Sequence, residues 1–207
     1  MRAHAVLVSC ALLLPGGVAH AQDAPECFGE KPTIVGTDGE DRLVGTPGRD
    51  VIAGLDGKDR IEGRGGDDLI CAGHARACWG CGDIVKAGSG DDRLGGGAGG
   101  QRLAGGPGDD LLRAGDGDDT LVGGLGNDRA FAGVGNDMLI EGPGNDLAAG
   151  GEDFGIDGAG GDQVTFRLGW HVNADLAEGR ATGDLGNDRI PDIEHVTGSR
   201  GDDVLAG

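Results

Sequence analysis

The sequence is poor in bulky side chains and in positive charge. Its 207 residues include no Tyr, two Trp and four Phe, less aromatic bulk than an ordinary globular core of this length holds. The formal net charge is −19, which argues against nucleic acid and anionic lipid as partners. After residues 5–14, no apolar run approaches the length needed to span a bilayer, which predicts no membrane insertion.

Catalytic motifs are also missing. The sequence has no HExxH motif, the mark of a zinc metalloprotease. His74 and His171 lie in no recognisable nucleophile motif. Asp192 and Glu194 lie close to His195 in sequence, but acid–base chemistry needs a pocket, and stacked short strands are filled by their own side chains. We therefore expect no enzymatic activity.

The first 21 residues have the features of a cleavable signal peptide. Arg2 provides the positive start, Ala5–Leu14 the apolar run and Ala19-His20-Ala21 a small-residue cleavage site. This predicts a secreted, extracellular protein. An even number of cysteines in an oxidising compartment favours disulfides. The cysteines that would remain are Cys27, Cys71, Cys78 and Cys81.

Glycine is abundant, with 47 residues, and together with the acidic charge it is typical of low complexity or disorder. Periodicity argues against disorder. An aspartate behind glycines recurs every nine residues, with a six-residue disturbance after Asp68 and one gap at Gln101. Aliphatic residues keep the same phase two positions later, which a disordered tail has no reason to do. The aspartates are Asp41, Asp50, Asp59, Asp68, Asp92, Asp110, Asp119, Asp128, Asp137 and Asp146.

The most complete unit is Gly105–Arg113, which fits the calcium-binding nonapeptide pattern GGxGxDxUx, where U is a large apolar residue. Its glycines permit positive φ, so that a tight turn can direct carbonyl oxygens inward. The aspartate adds a charged oxygen, and calcium suits such an oxygen-rich site better than magnesium does. If eighteen residues form one coil, Asp110 and Asp128 stack about 4.8 Å apart and repel unless a cation lies between them.

These units resemble the RTX, or haemolysin-type, calcium-binding repeats, whose family fold is a parallel β-roll. The resemblance covers residues 34–149 and, more loosely, 183–207. It implies several Ca²⁺ ions held between successive turns by the motif aspartates and by glycine carbonyls. The glycines so implied are Gly105, Gly108, Gly117, Gly123, Gly126, Gly135 and Gly144.

Some units depart from the pattern. Thr37, Thr46, Leu55 and Arg64 replace the second glycine in the first four units, which predicts weaker sites there. Gln101 lacks the charge, and Glu141 replaces a glycine. Gly155 and Gln163 fall where the nine-residue count expects aspartates.

The chain divides into a signal peptide (1–21), a lead-in (22–33), a β-roll (34–162) with an insertion at 71–84, and a C-terminal segment (163–207). The C-terminal segment is expected to form an irregular, strand-rich cap with two further turn units. The aspartates of these units, Asp188 and Asp203, are 15 residues apart and so off the nine-residue spacing.

The cysteine-rich insertion permits two interpretations. Cys71, His74, Cys78 and Cys81 are spaced like zinc ligands. Alternatively, the insertion is held by disulfides, with Cys78 paired to Cys81. The lead-in from Cys27 resembles exported bacterial members of the family, in which a cysteine placed like Cys71 suggests pairing with Cys27.

The function predicted from the sequence is a secreted, calcium-binding β-roll whose folding is coupled to calcium. A calcium-dependent adhesive, matrix or carbohydrate-binding component is one alternative, with a cell-surface or polysaccharide partner. A non-catalytic accessory module of a secreted enzyme system is the other.

Overall fold

The computed structural model describes residues 26–73, 82–152, 163–166, 172–183, 186–193, 195–198 and 203–206. The predicted signal peptide lies outside these residues, as do His74, Cys78, Cys81 and Gly155. In the described segments, no helix is long and apolar enough to cross a membrane.

The described residues form strands that belong to two long sheets. The first sheet has the order β1-β3-β5-β7-β9-β11-β13-β17-β16-β15-β19, and the second has the order β18-β14-β12-β10-β8-β6-β4-β2. The strands are β1 (Ile34–Val35), β2 (Arg42–Val44), β3 (Val51–Ala53), β4 (Arg60–Gly65), β5 (Leu69–Cys71), β6 (Ile84–Ser89), β7 (Arg93–Ala98), β8 (Arg102–Pro107), β9 (Leu111–Asp116), β10 (Thr120–Leu125), β11 (Arg129–Val134), β12 (Met138–Glu141), β13 (Leu147–Glu152), β14 (Gln163–Phe166), β15 (Val172–Asp175), β16 (Arg180–Gly183), β17 (Gly186–Arg189), β18 (His195–Thr197) and β19 (Val204–Ala206).

From β1 to β14 successive strands alternate between the two sheets, so each strand from β1 to β12 pairs in parallel with the strand after next. Leu111 of β9 pairs with Arg129 of β11, eighteen residues later. Across the insertion the offset grows to 24 residues, where Leu69 pairs with Arg93, and the parallel pairing continues. The predicted all-β parallel β-roll, with eighteen residues per coil, is confirmed.

The core lies between the two sheets and consists of the aliphatic residues two positions after the motif aspartates. Leu94, Leu112 and Leu121 are completely buried. Because side chains alternate along a strand, a second line of small residues, including Ala114 and Ala132, also faces inward. Large and small aliphatic side chains together fill the narrow interior of the repeat region.

Most strands of the central roll are longer than the roughly three residues that the glycine density suggests. β9 extends to Asp116 because Ala114 and Gly115, which take the place of the glycine pair, belong to the strand, and Gly115 pairs with Gly97 and Gly133 on either side. Gly115 has φ 120°, a value that favours glycine. The glycines therefore extend the hydrogen bonding between neighbouring strands before the chain turns.

The sheets continue beyond the predicted boundary at residue 162. β14 and β18 extend the second sheet, and β17 extends the first. An antiparallel meander of β15, β16 and β17 follows, as expected of a strand-rich cap. Phe166, Ile190 and Ile193 close the core at this end. Gln163 pairs with Met138, one residue past Asp137, so placing Gln163 at an aspartate position was wrong.

The lead-in is tied to the roll by a disulfide between Cys27 and Cys71. Cys27 is completely buried and packs with Val51 and Leu69 on the outer face of the first sheet. The pairing implied by the family resemblance is confirmed. Because Cys71 is oxidised, it cannot serve as a zinc thiolate, and the predicted four-ligand zinc set is excluded.

Candidate metal centre

The motif aspartates form two ladders, one along each side of the roll. We call the residues preceding strands of the first sheet the first ladder and those preceding strands of the second sheet the second ladder. The first ladder is Asp50, Asp68, Asp92, Asp110, Asp128, Asp146 and Asp188. The second ladder is Asp41, Asp59, Asp83, Gln101, Asp119 and Asp137.

Each ladder is joined by hydrogen bonds from backbone to side chain. The backbone N–H of Asp110 donates to Oδ1 of Asp128 at 2.9 Å, and that of Asp128 donates to Oδ1 of Asp146 at 2.9 Å. In the second ladder the N–H of Asp119 donates to Oδ1 of Asp137 at 2.8 Å. The predicted stacking of aspartates eighteen residues apart is therefore present, and one carboxylate oxygen of each pair has a structural role.

The second carboxylate oxygen of these aspartates, Oδ2, has a different environment from Oδ1. The Oδ2 atoms of most ladder aspartates are buried and accept no hydrogen bond in the described part of the chain. They belong to Asp59, Asp68, Asp92, Asp110, Asp119, Asp128 and Asp146. A buried carboxylate oxygen without a partner is costly, because it has lost water and gained nothing in return.

The pKa values of the ladder aspartates reflect the same cost of burial. Burial is the largest cause, and it raises the pKa of Asp110 and of Asp119 from 3.8 to about 7. Neighbouring carboxylates raise these pKa values further, while the backbone hydrogen bonds oppose the rise. Burial likewise raises to about 6 the pKa values of Asp59, Asp68, Asp92, Asp128, Asp146 and Asp188.

The predicted glycines lie beside these oxygens. A Cβ added at Gly105 or Gly123 would collide with the carboxylate of Asp110 or Asp128, five residues on. The glycine two positions before a ladder residue instead faces a carbonyl oxygen of the adjacent turn; a Cβ at Gly117 would lie 2.5 Å from the oxygen of Gly99. The others of this second kind are Gly108, Gly126, Gly135 and Gly144.

Two predicted site residues have another partner. Oδ2 of Asp41 accepts hydrogen bonds from the backbone N–H of Thr37 at 2.6 Å and from its hydroxyl at 2.9 Å. Oδ2 of Asp50 accepts one from the backbone N–H of Thr46 at 2.5 Å. These threonines replace the second glycine of the motif, so both turns satisfy their aspartates without a cation. The structure favours a turn-capping role for Asp41 and Asp50.

Leu55 and Arg64 replace the same glycine, but the Oδ2 atoms of Asp59 and Asp68 accept no hydrogen bond from the described residues. They adopt φ values of 80° and 86°, the left-handed region that costs a non-glycine residue about 1–2 kcal/mol. The turns of Asp59 and Asp68 therefore keep the geometry of the glycine-containing units at a cost in backbone strain.

Asp83 and Asp188 belong to the ladders but were missed by counting nine residues. Oδ1 of Asp83 accepts from the N–H of Asp59, 24 residues earlier, and Oδ1 of Asp188 accepts from Asp146, 42 residues earlier. Insertions separate both from the regular spacing. The signal that could have found them is local, because each follows a glycine turn and precedes a buried aliphatic residue, Val85 or Ile190.

Gln101 keeps its place in the second ladder without the charge. It is buried, and its Oε1 accepts from the N–H of Asp83 at 2.9 Å. The glutamine thus preserves the structural hydrogen bond while removing the charged oxygen. The expected gap in the set of charged ligands is present at this position.

A further ladder on the surface, also unpredicted, runs one residue before the first. The backbone N–H of Asp109 donates to Oδ1 of Asp91, and that of Asn127 donates to Oδ1 of Asp109 at 2.7 Å. Asn145 and Asn187 continue the series. These side chains are exposed, so their hydrogen bonds join successive turns at the surface, whereas those of the first and second ladders join successive turns in the interior.

The chemistry of the donor set fits calcium. No group of three or more His, Cys, Asp or Glu side chains arranged for a metal occurs in the described ranges, so a cation there needs backbone oxygens as well. The carbonyl oxygens of Gly90, Gly108 and Gly126 lie against the glycine of the next turn on the same side of the roll. The aspartates with an unpaired Oδ2 follow such glycines by two residues, as Asp110 follows Gly108. Carbonyl and carboxylate oxygens without nitrogen or sulfur are typical calcium ligands.

Comparison with known proteins agrees with this geometry. A family model described as the RTX calcium-binding nonapeptide repeat, in four copies, matches residues 35–70, 82–100, 95–130 and 104–139. The matched ranges contain most residues of both ladders. No curated protein matches the sequence.

Proposed function

The chain belongs to the RTX calcium-binding nonapeptide repeat family through residues 35–139, and from this we propose a secreted protein whose β-roll folds when it binds several calcium ions. Calcium binding is the property of the repeat family. Secretion, the number of ions and the coupling of folding to calcium are the proposed refinements.

The observation that carries the proposal is the row of buried, unpaired Oδ2 atoms. Asp110, Asp128 and Asp146 stack along one side of the roll, each with an Oδ2 that accepts no hydrogen bond from the described residues. Like charges this close in a poorly solvated environment repel strongly. A divalent cation between successive turns would replace the lost hydration and neutralise the repulsion.

The ligands proposed for these ions come from pairs of adjacent turns. The unpaired Oδ2 atoms of Asp110 and Asp128 would supply charge, and the carbonyls of Gly108 and Gly126 would supply neutral oxygens. Calcium would provide the electrostatic link between them. The corresponding turns of the second ladder contain Asp119 and Asp137 with Gly117 and Gly135.

Coupled folding follows from the small core and the high charge. The interior contains aliphatic and alanine side chains in a single narrow layer, which provides little burial to offset the carboxylate repulsion. A structural metal that binds only the folded state contributes its binding free energy to folding.

Secretion is supported by the N-terminal sequence pattern and by the conditions that such sites need. Extracellular calcium modules commonly bind at about 10⁻⁴–10⁻³ M, a concentration that the cytoplasm does not reach. The chain would remain unfolded before export and fold outside. The disulfide between Cys27 and Cys71 fits an oxidising compartment.

We propose a non-catalytic role. Adhesion and an accessory role in a secreted enzyme system would both operate through the same calcium-dependent fold. They predict, respectively, calcium-dependent retention on cells or glycans and a catalytic partner that co-purifies.

The test is circular dichroism of the protein freed of calcium and then titrated to millimolar calcium. We expect a β-sheet spectrum to develop with calcium. The variant Asp128→Asn should shift the titration to higher calcium, whereas Asp50→Asn, whose Oδ2 is capped by Thr46, should shift it less. The exposed strand residue Glu62 provides the control Glu62→Gln. A spectrum that is equally ordered in chelator would contradict the coupling.

A further inference from the structure

Glu141 occupies a position that the motif reserves for glycine. It ends β12 and lies five residues before Asp146, as Gly105 lies before Asp110 and Gly123 before Asp128. At those two glycines an added Cβ would collide with the aspartate carboxylate. A glutamate at the equivalent place therefore points its side chain into the region that the ladder carboxylate faces.

The Glu141 side chain is buried among acids. It is 1 % exposed, and neither Oε1 nor Oε2 accepts a hydrogen bond from a donor in the described residues. The Asp146 carboxylate has the largest effect of the charged neighbours on Glu141, and the charges of Asp128 and Asp188 also act on it. Oδ1 of Asp146 accepts from the N–H of Asp128, which leaves three buried carboxylate oxygens without a hydrogen bond from the described residues: Oε1 and Oε2 of Glu141 and Oδ2 of Asp146.

Packing alone does not account for a glutamate here. The regular units have glycine or alanine at this place, as Ala114 before Asp119 and Ala132 before Asp137 show, and either residue would avoid the buried charge. A neutral glutamic acid sharing a proton with Asp146 is the alternative arrangement. It would satisfy Oδ2 of Asp146 and one oxygen of Glu141 and leave the other oxygen of Glu141 unpaired.

We propose that Glu141 is an additional calcium ligand, which acts with Asp146 and makes the turn between β12 and β13 the tightest cation site of the roll. Two carboxylates from one turn replace the single carboxylate of the other turns. Because affinity for calcium rises with the number of charged ligands, we expect this ion to bind about tenfold more tightly than the others. The inference rests on the proposed calcium-binding function.

The test compares the full chain with Glu141→Gln, Glu141→Gly and the control Glu62→Gln. Calcium binding is measured by equilibrium dialysis and by competition with a chromophoric chelator. We expect both Glu141 variants to lose about tenfold in affinity for the tightest ion while the weaker ions are unchanged. Glu62→Gln, which removes an exposed carboxylate by the same chemical change, should bind like the wild type.

Thermal unfolding at a series of calcium concentrations provides a second measurement. The rise in melting temperature with calcium should be smaller for Glu141→Gln than for the wild type, because the variant has lost one charged ligand. If Glu141→Gln does not fold, Glu141→Gly decides, because it restores the glycine of the other units.

The outcomes distinguish the role of Glu141 from the calcium-binding function on which it rests. Wild-type binding of several ions with unchanged affinity in both Glu141 variants would overturn the role of Glu141 and leave the calcium-binding function standing. A melting temperature of Glu141→Gln that lies below that of the wild type by the same amount at every calcium concentration would also overturn it, since Glu141 would then act in packing. Failure of the wild type to bind calcium would refute the proposed function itself.

Discussion

Acidifying the calcium-free protein should restore part of its fold. The perturbation is a change from pH 7.5 to pH 5 after calcium has been removed with a chelating resin. The groups concerned are the eight buried ladder aspartates whose pKa values rise to about 6 or about 7 in the folded chain.

The sign follows from proton linkage. These acids have folded-state pKa values above 3.8, so between about pH 4 and 7 the folded chain binds more protons than the unfolded chain. The free energy of unfolding of the calcium-free protein therefore falls as the pH rises through this window. This is the reverse of the usual behaviour of paired carboxylates, whose pKa values are lowered in the folded state.

The magnitude is large. At pH 7.5 a pKa raised to about 6 costs the folded state about 3 kcal/mol, and one raised to about 7 costs about 4 kcal/mol. The costs of the eight aspartates do not add, because each ladder carboxylate contributes to the raised pKa of its neighbours, but a few of them already reach the 5–15 kcal/mol by which domains are typically stable. Moving to pH 5 reduces the cost of each aspartate by about half.

Far-UV circular dichroism provides the assay. We expect a disordered spectrum at pH 7.5 without calcium, increased β-sheet signal at pH 5 without calcium, and full signal at pH 7.5 with calcium. Asp110→Asn keeps an oxygen for the ladder hydrogen bond but carries no charge, so it should make the calcium-free chain less dependent on pH. Calcium-free β-sheet content that is equal at both pH values, or higher at pH 7.5, would refute the reasoning.

Three further predictions concern strain, the disulfide and proton competition. Leu55→Gly and Arg64→Gly should each raise the free energy of unfolding in calcium by about 1 kcal/mol, measured by urea titration, because both residues have left-handed φ; no gain would show that the strain is absent in solution. Cys27→Ser opens a loop with a sequence separation of 44 and should lower the free energy of unfolding by about 4 kcal/mol, with a smaller loss indicating a constrained unfolded chain. The calcium midpoint should move to higher concentration below pH 7, since protons compete for the ladder carboxylates; a midpoint independent of pH between 5 and 7.5 would contradict the raised pKa values.

The repeat units themselves were predictable because their information is local. In the unit of Asp110, glycines, carboxylate and the buried Leu112 lie within nine residues, and together they predict turn, strand and core position. The eighteen-residue coil follows because alternate units must face the same way for their apolar residues to share one interior.

What could not be predicted depends on contacts across insertions. Asp83 and Asp188 join the ladders after offsets of 24 and 42 residues, and no spacing rule reveals where a sheet resumes. Gln163 was misplaced for the same reason, since the count was carried across residues that do not keep the period. The capping of Asp41 by Thr37 required knowledge of φ at that threonine, which sequence alone does not contain.

The side-chain hydrogen bonds of the two buried ladders all run in one direction, so the two ends of the roll differ in the polar groups that they leave unpaired. Each turn donates a buried N–H to the carboxylate of the following coil, so that Asp146 depends on Asp188 and Asp128 depends on Asp146. Trimming the chain from its N-terminal side would uncover carboxylate oxygens, which water solvates readily. Trimming it from the C-terminal side would leave a stranded N–H at every cut, at about 1–3 kcal/mol for each one that stays buried. The roll should therefore tolerate truncation from its N-terminal side further than from its C-terminal side. The strands after β14 are accordingly the more important end for the stability of the roll.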